Sequence, residues 1–260
     1  MNAFDLHGKV ILVTGGAGFL AEHFVTSLLE AGAKVALADI ALKAVQARAQ
    51  KLRENVVPVH MDVTKQDSVD EAFAAVIKEF GRIDVVVNNA AIDPKFDPNS
   101  SANTKVFENY PEEAMEQSVD VNMLGTWRVS KAAVKHMLES GGGNIISISS
   151  MYGLSVPHQD IYPEGTQKPV DYGMTKAAIQ YLTKYIAGTY GQKNIRANAL
   201  VLGGVFKNHD DAFVEKYAKY TMLGRMTDPA EIGAPLVFLA SEASKGMTGH
   251  LLVVDAGWSA

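Results

Sequence analysis

The chain has 260 residues, 47% of them hydrophobic and 20% charged, which is enough for a sizeable core and excludes a disordered tail or a collagen-like repeat. Acidic residues outnumber basic ones 29 to 24, a net charge of −5, and lysine and arginine form no stripe, so nucleic acid is not an expected partner. The absence of cysteine removes disulfides, thiolate metal sites and cysteine nucleophiles together and suits a reducing compartment.

The first residues carry Asp5, His7 and Lys9 ahead of any apolar run. No run approaches the roughly 20 apolar residues of a membrane span, so a soluble, cytoplasmic protein without a membrane partner is expected. Short β-branched runs then alternate with segments of helical period, the pattern of parallel strands joined by crossover helices. Strands are predicted at 9–14 (KVILVT), 33–39 (AKVALAD), 56–61 and 83–88 (IDVVVN), with helices at 20–31, 41–54 and 66–80. These strands lack polar alternation, as expected when both faces are covered. Residues 93–111, with three prolines among Asn and Ser, read as an irregular insert. A long helix over 112–140 follows, ended by Gly141 to Gly143, and then a strand at 144–149 (NIISIS). A second insert at 152–169 precedes a helix at 170–190, a strand at 195–201 and a loop at 203–210. Helices at 211–223 and 229–240 and a last strand at 251–255 (LLVVD) complete the chain. The fold class is α/β, a doubly wound parallel sheet in one domain over residues 1–260.

The first strand runs into Thr14-Gly15-Gly16-Ala17-Gly18-Phe19-Leu20-Ala21 and then a helix. Glycines let the backbone turn sharply and approach a pyrophosphate, whose charge is met by N–H groups and the positive end of the helix. Gly15, Gly18, Phe19 and Leu20 are the expected contacts, and Ala21 keeps the helix close to the sheet. The alternative is an ordinary glycine-rich turn. Asp39 ends the second strand close to the roughly 20-residue offset of a ribose-binding carboxylate. Such a group accepts hydrogen bonds from ribose hydroxyls and repels a 2′-phosphate, so NAD is expected over NADP; capping of the next helix is the alternative role.

Tyr172 and Lys176 lie four apart on one face of a predicted helix, and no other tyrosine has a lysine at that offset. They follow a strand that ends in Ser149-Ser150. The seven histidines show no ligand spacing, so no metal is expected, and neither a G-x-S-x-G elbow nor a phosphate-loop lysine occurs.

Thr14-Gly15…Gly18, Asp62, Asn88-Asn89-Ala90-Ala91, Asn122, Ser150, Tyr172-x-x-x-Lys176 and Asp255-x-Gly257, in this order over the whole chain, resemble a short-chain dehydrogenase/reductase. The resemblance implies a single Rossmann-type domain with a seven-stranded sheet and catalytic roles for Asn122, Ser150, Tyr172 and Lys176. It also implies that Asp62 and Val63 flank the adenine, Asn89, Ala90 and Ala91 line the cofactor, and Val205 contacts the nicotinamide amide. The chemistry is coherent: a free phenol has a pKa near 10, and a lysine ammonium beside it should depress that value. Tyr172 could then exchange a proton with a substrate alcohol as hydride moves to or from the cofactor, while Ser150 bonds the reacting oxygen. Lys176 would also grip the nicotinamide ribose, and Asn122 would hold a water linking Lys176 to solvent.

Three features depart from the family pattern. The glycine loop reads T-G-x-x-G-x-x-A, a spacing more like that of sugar-nucleotide epimerases; Tyr172 stands well beyond the usual distance from Ser150; and Leu202 replaces the usual proline before Gly203. The insert at 152–169 carries Asp160, Tyr162, Glu164, Thr166, Gln167 and Lys168, groups of little use to a steroid or fatty acyl chain. A polar, sugar-like small molecule is the expected substrate, and the segment 162–172 is similar to that in oxidoreductases of flagellin and surface-glycan modification. Two other functions stay open: an epimerase or dehydratase that retains NAD, and an NAD-binding sensor without turnover. Trp127, Tyr181 and Tyr185 extend the apolar surface of the helices at 112–140 and 170–190 beyond one face, and the resemblance implies that these helices pair across two-fold axes, so a homotetramer or homodimer is expected.

Overall fold

A computed structural model of the protein describes residues 2–52, 54–93 and 106–260. Seven parallel strands form one sheet: β1 (Val10–Thr14), β2 (Lys34–Asp39), β3 (Val56–His60), β4 (Val85–Asn88), β5 (Gly143–Ser150), β6 (Ile195–Leu202) and β7 (Leu251–Val254). The helices are α1 (Phe19–Glu30), α2 (Leu42–Leu52), α3 (Gln66–Phe80), α4 (Glu112–Ser118), α5 (Thr126–Ser140), α6 (Val170–Tyr190), α7 (Asp211–Ala218) and α8 (Gly233–Ala240). Successive residues of β1 show why these strands are apolar throughout. Val10 and Leu12 enter one core layer and Ile11 and Val13 the other, all four fully buried or nearly so. Phe24 and Leu28 of α1, Val45 of α2 and Leu236 of α8 fill the second layer. Phe73 and Val76 of α3, Val129 and Met137 of α5 and Ile186 of α6 fill the first. The result is the parallel α/β arrangement expected from the alternation, with the seven-stranded Rossmann-type sheet that the family resemblance implies.

Strand order is β3-β2-β1-β4-β5-β6-β7, so the winding reverses between β1 and β4. A crevice opens at such a switch point beyond the carboxyl ends of the strands. Thr14, Asp39, Asn88 and Ser150 are the last residues of β1, β2, β4 and β5, which brings the sequence-predicted site to this edge.

Three predicted helices differ from those observed. The helix expected over 112–140 is interrupted by a π-helical stretch, Val119–Gly125, that contains Asn122. The helix expected over 211–223 ends at Ala218. The one expected over 229–240 starts with a separate short turn, Pro229–Glu231, held by a reciprocal Asp228/Glu231 cap. Pro235, which has no N–H to return to the preceding turn, makes α8 begin afresh. Of the insert expected over 93–111, residues 94–105 lie outside the described residues; the rest holds a short turn at Phe107–Asn109. Gly141 closes α5 in the left-handed region (φ +90°), its N–H donating to the Met137 carbonyl. Among the described residues no helix is long and apolar enough to cross a membrane.

Candidate functional site

The glycine loop is built against the end of β4. The Thr14 hydroxyl oxygen accepts from the N–H groups of Asn89 and Ala90, both at 3.0 Å, and the Asn89 amide donates to the carbonyls of Thr14 (2.9 Å) and Gly15 (3.1 Å). Gly15 has φ +66°, and a Cβ there would stand 2.7 Å from the Ala90 Cα, so only glycine fits. Gly18, exposed, is the N-cap of α1 and supplies no side-chain cap, which leaves the positive end of that helix open to an anion. Phe19 and Leu20, half-buried, open α1, and Ala21 is fully buried against the sheet. This cradle fits the pyrophosphate of a dinucleotide. Ala91 continues the floor at an exposed position.

Asp39 is half-buried at the rim, and the helix-capping alternative is part of its role. One carboxylate oxygen accepts from the Ala41 N–H (2.8 Å) at the entry to α2, and the other accepts from the Ala17 N–H (3.0 Å) in the glycine loop. Each oxygen keeps a lone pair for a ribose hydroxyl. Sequence reasoning missed Arg48 of α2, whose guanidinium donates to the carbonyls of Gly16 (2.6 Å) and Gly18 (2.8 Å) and pairs with Glu22. Its position three residues after the buried Val45 was the one available signal.

Asp62 accepts from the backbone and the hydroxyl of Thr64, and although burial opposes it, these bonds hold its carboxyl below the usual range. Val63 packs under the π-helical stretch, where a Cβ on Gly125 would stand 2.8 Å from it. Asn122 is fully buried. Its amide accepts from the Ile92 N–H (2.8 Å), donates to the Ile92 carbonyl (2.9 Å), and reaches the Thr175 hydroxyl at 3.3 Å, tying the loop after β4 to α6. Val205, three residues beyond the end of β6, forms a single bridge with Thr227.

Ser150, Tyr172 and Lys176 converge where β5 meets α6. The Ser150 hydroxyl accepts from the Tyr152 N–H at 3.2 Å. The Lys176 ammonium, 4% exposed, donates to the Ile148 carbonyl (3.0 Å) and lies 5.5 Å from the Tyr172 ring centre. Two further bonds stitch strand to helix: Ser149 donates to the Lys176 carbonyl (3.0 Å), and Gln180 donates to the Ser149 hydroxyl (3.0 Å). Asp171, fully buried in the first turn of α6, accepts from Ser118 of α4 and fixes the approach to Tyr172. The expected depression of the Tyr172 phenol is absent from the protein alone. Burial drives it upward and the Asp93 carboxylate adds to this, against an opposing contribution from the Ser150 hydroxyl. Burial likewise lowers Lys176 to about 8, with Asp93 partly restoring it.

The insert at 152–169 folds back as a wall. The hydroxyls of Tyr152 and Tyr162 meet at 2.9 Å, and Met151, Ile161, Tyr217, Met226 and Trp258 form an apolar cluster behind them. Burial pushes Tyr152 up to about 12. Several polar residues of the insert serve the wall itself: Asp160 accepts from Tyr220 (2.5 Å), Gln167 from the Phe107 N–H (3.0 Å), and Thr166 donates to the Pro163 carbonyl (2.5 Å). Lys168 instead turns toward Tyr172.

A switch-point cradle for a dinucleotide, beside a serine, a tyrosine and a lysine, agrees with the family match: residues 16–259 fit the family model described as enoyl-(acyl carrier protein) reductase, and the chain belongs to the short-chain dehydrogenase/reductase family. It is an oxidoreductase that works between a nicotinamide cofactor and an alcohol or ketone. Among its relatives, a 3-alpha-(or 20-beta)-hydroxysteroid dehydrogenase of Mycobacterium bovis is 35% identical, over 97% of this chain and 90% of that protein. The 5-keto-D-gluconate 5-reductase of Escherichia coli K12 is 32% identical, over 98% and 97%. A crystal structure of a gluconate 5-dehydrogenase from Burkholderia cenocepacia, in complex with NADP and tartrate, superposes with a TM-score of 0.87 at 26% identity, covering 99% of this chain and 98% of that one.

Proposed function

We infer that the whole chain acts as one NAD(H)-dependent unit that transfers a hydride between nicotinamide and the secondary alcohol or ketone of a polar, sugar-like substrate. The observation that carries this reading is the convergence of the Ser150 hydroxyl, the Tyr172 phenol and the buried Lys176 ammonium beside the glycine cradle. The nicotinamide supplies or accepts the hydride. Tyr172 donates or accepts the proton of the reacting oxygen, Ser150 hydrogen-bonds that oxygen, and Lys176 holds the nicotinamide ribose. Asn122, fixed by Ile92, orders a water between Lys176 and solvent. Asp62 and Val63 line the adenine side, Asn89 to Ala91 the floor, and Val205 the nicotinamide amide. The cysteine-free composition suits the cytoplasm. The test is a panel of sugars, polyols and hydroxy acids with NAD, read as NADH absorbance; no turnover of any of them would sink the reading.

The preference for NAD rests on Asp39. A carboxylate facing a 2′-phosphate disfavours it by about 1–3 kcal/mol, so titration should give NAD binding about tenfold or more tighter than NADP. Asp39→Ala should narrow the gap. Equal or tighter NADP binding by the unaltered protein, in keeping with the NADP held by the gluconate 5-dehydrogenase, would remove Asp39 as the ribose ligand.

The assembly read here is a homotetramer or homodimer. A groove of about 400 Å³ between α5 and α6 is lined by Trp127, Leu138 and Tyr185, which are 46%, 48% and 56% exposed, and Tyr181 stands open beside it. Light scattering should give two or four times 28.0 kDa, and a monomeric mass at working concentration would refute it.

A further inference from the structure

Lys168 is nearly enclosed, its side chain 11% exposed, yet it belongs to a surface insert. Its backbone is fixed by the Gln159 amide oxygen, which accepts from the Lys168 N–H at 2.9 Å. The amino group lies 4.6 Å from the Tyr172 ring centre and donates to the Asp93 carboxylate at 2.5 Å. Asp93 follows directly on the Ala90-Ala91-Ile92 segment, and half of its side chain is open to solvent. The two residues therefore join the loop after β4 to the insert before α6 across the face of the tyrosine. A lysine so enclosed loses solvation, and one partly exposed ion pair returns little of it, so packing alone does not account for the arrangement.

We propose that Asp93 and Lys168 form the substrate-recognition pair of the site, and that they select a neutral substrate carrying vicinal hydroxyls, such as a sugar or polyol. This deepens the oxidoreductase reading above and rests on it. The pair sets a carboxylate acceptor beside an ammonium donor with no net charge. One hydroxyl next to the reacting carbon donates to Asp93, and its neighbour accepts from Lys168. A steroid or a simple alcohol satisfies neither group, and a site built for hydroxyl bonds rejects the analogue that lacks them. A substrate carboxylate would have to take Lys168 from Asp93 or stand against its charge. Burial is the main cause that raises the phenols of Tyr110, Tyr152, Tyr162 and Tyr172, and the negative charge of Asp93 adds to each, so its influence reaches across the site.

The experiment compares kcat/KM with NAD for neutral hexoses and hexitols, the matching hexonates, and cyclohexanol, in the unaltered protein and in Asp93→Asn, Lys168→Met and Lys168→Arg. The unaltered protein should favour the neutral polyhydroxylated compounds over both other classes. Asp93→Asn and Lys168→Met should each cut the polyol-to-cyclohexanol ratio by about ten- to a hundredfold, mainly through KM, as expected for a lost hydrogen bond to a charged group. Lys168→Arg should keep most of that ratio. NADH fluorescence on binding checks that each variant is folded. A preference for hexonates or cyclohexanol, or a ratio that both variants leave in place, overturns the assignment of the pair while the oxidoreductase reading stands. Bound NADH with no turnover of any alcohol overturns both.

Discussion

Tyr172→Phe is expected to lower kcat by at least about 10²–10⁴-fold, the contribution of one positioned acid or base, with NAD binding nearly intact. The variant removes one oxygen from a half-buried ring whose neighbours, Ser150 and Lys176, are held by bonds of their own to Tyr152 and Ile148. Tyr162 supplies the internal comparison. It stands nearer to Ser150 in the chain and is half-buried, but its hydroxyl is bonded to Tyr152, and the residue four positions on is Thr166, which carries no charge. Tyr162→Phe should act mainly on substrate KM. Steady-state kinetics on both variants checks the assignment, which fails if Tyr162→Phe is inactive and Tyr172→Phe is active.

Lys176→Met should abolish most turnover and at the same time stabilise the fold at neutral pH. The folded amino group gives up its proton near pH 8, whereas in the unfolded chain it holds the proton to about 10.5. Below pH 8 both forms are charged and the folded protein bears the full cost of burial. Between 8 and 10.5 the unfolded chain binds the extra proton, so stability rises with pH; above both values the cost is gone. The variant should therefore gain about 1–3 kcal/mol at pH 7, less than the whole shift implies because the Ile148 carbonyl loses its donor. That gain should disappear by about pH 10. Denaturant titrations at the two pH values test this. A variant less stable than the parent at pH 7 would mean that the hydrogen bond outweighs desolvation.

The strands were legible because burial on both faces leaves an uninterrupted apolar run, and each observed strand lies within two residues of its predicted bounds at either end. The helices over 66–80 and 170–190 were legible at both ends, the first because one amphipathic period carries it from start to stop and the second because Pro169 and Gly191 bracket it. What escaped depends on contacts distant in the chain. The π-helical stretch is invisible to a 3.6-residue period, and the contact made within it, Asn122 with Ile92, lies 30 residues away in the chain. Arg48 looks like any helix-surface arginine until the glycine carbonyls meet it. The ion pair of Asp93 with Lys168 spans 75 positions and two irregular segments, where periodicity carries no information. The Tyr172–Lys176 spacing was readable, but the phenol's upward shift was not, since it comes from the surroundings and not from its helix neighbour.

The π-helical stretch amounts to one extra residue inserted in an otherwise regular helix, and such a residue shifts everything after it by roughly 100° about the axis. Asn122 lies within the stretch and Trp127 just beyond it. Deleting a single residue from 119–125 would let the rod wind uniformly, and then either the amide facing Ile92 or the aromatic face of α5 could stay in place, but not both. The interior of the crevice and the outer flank of the molecule are thus in phase only because of that surplus residue. Length changes in this stretch would be accommodated by whole turns, three or four residues at a time, and single-residue changes would uncouple the two.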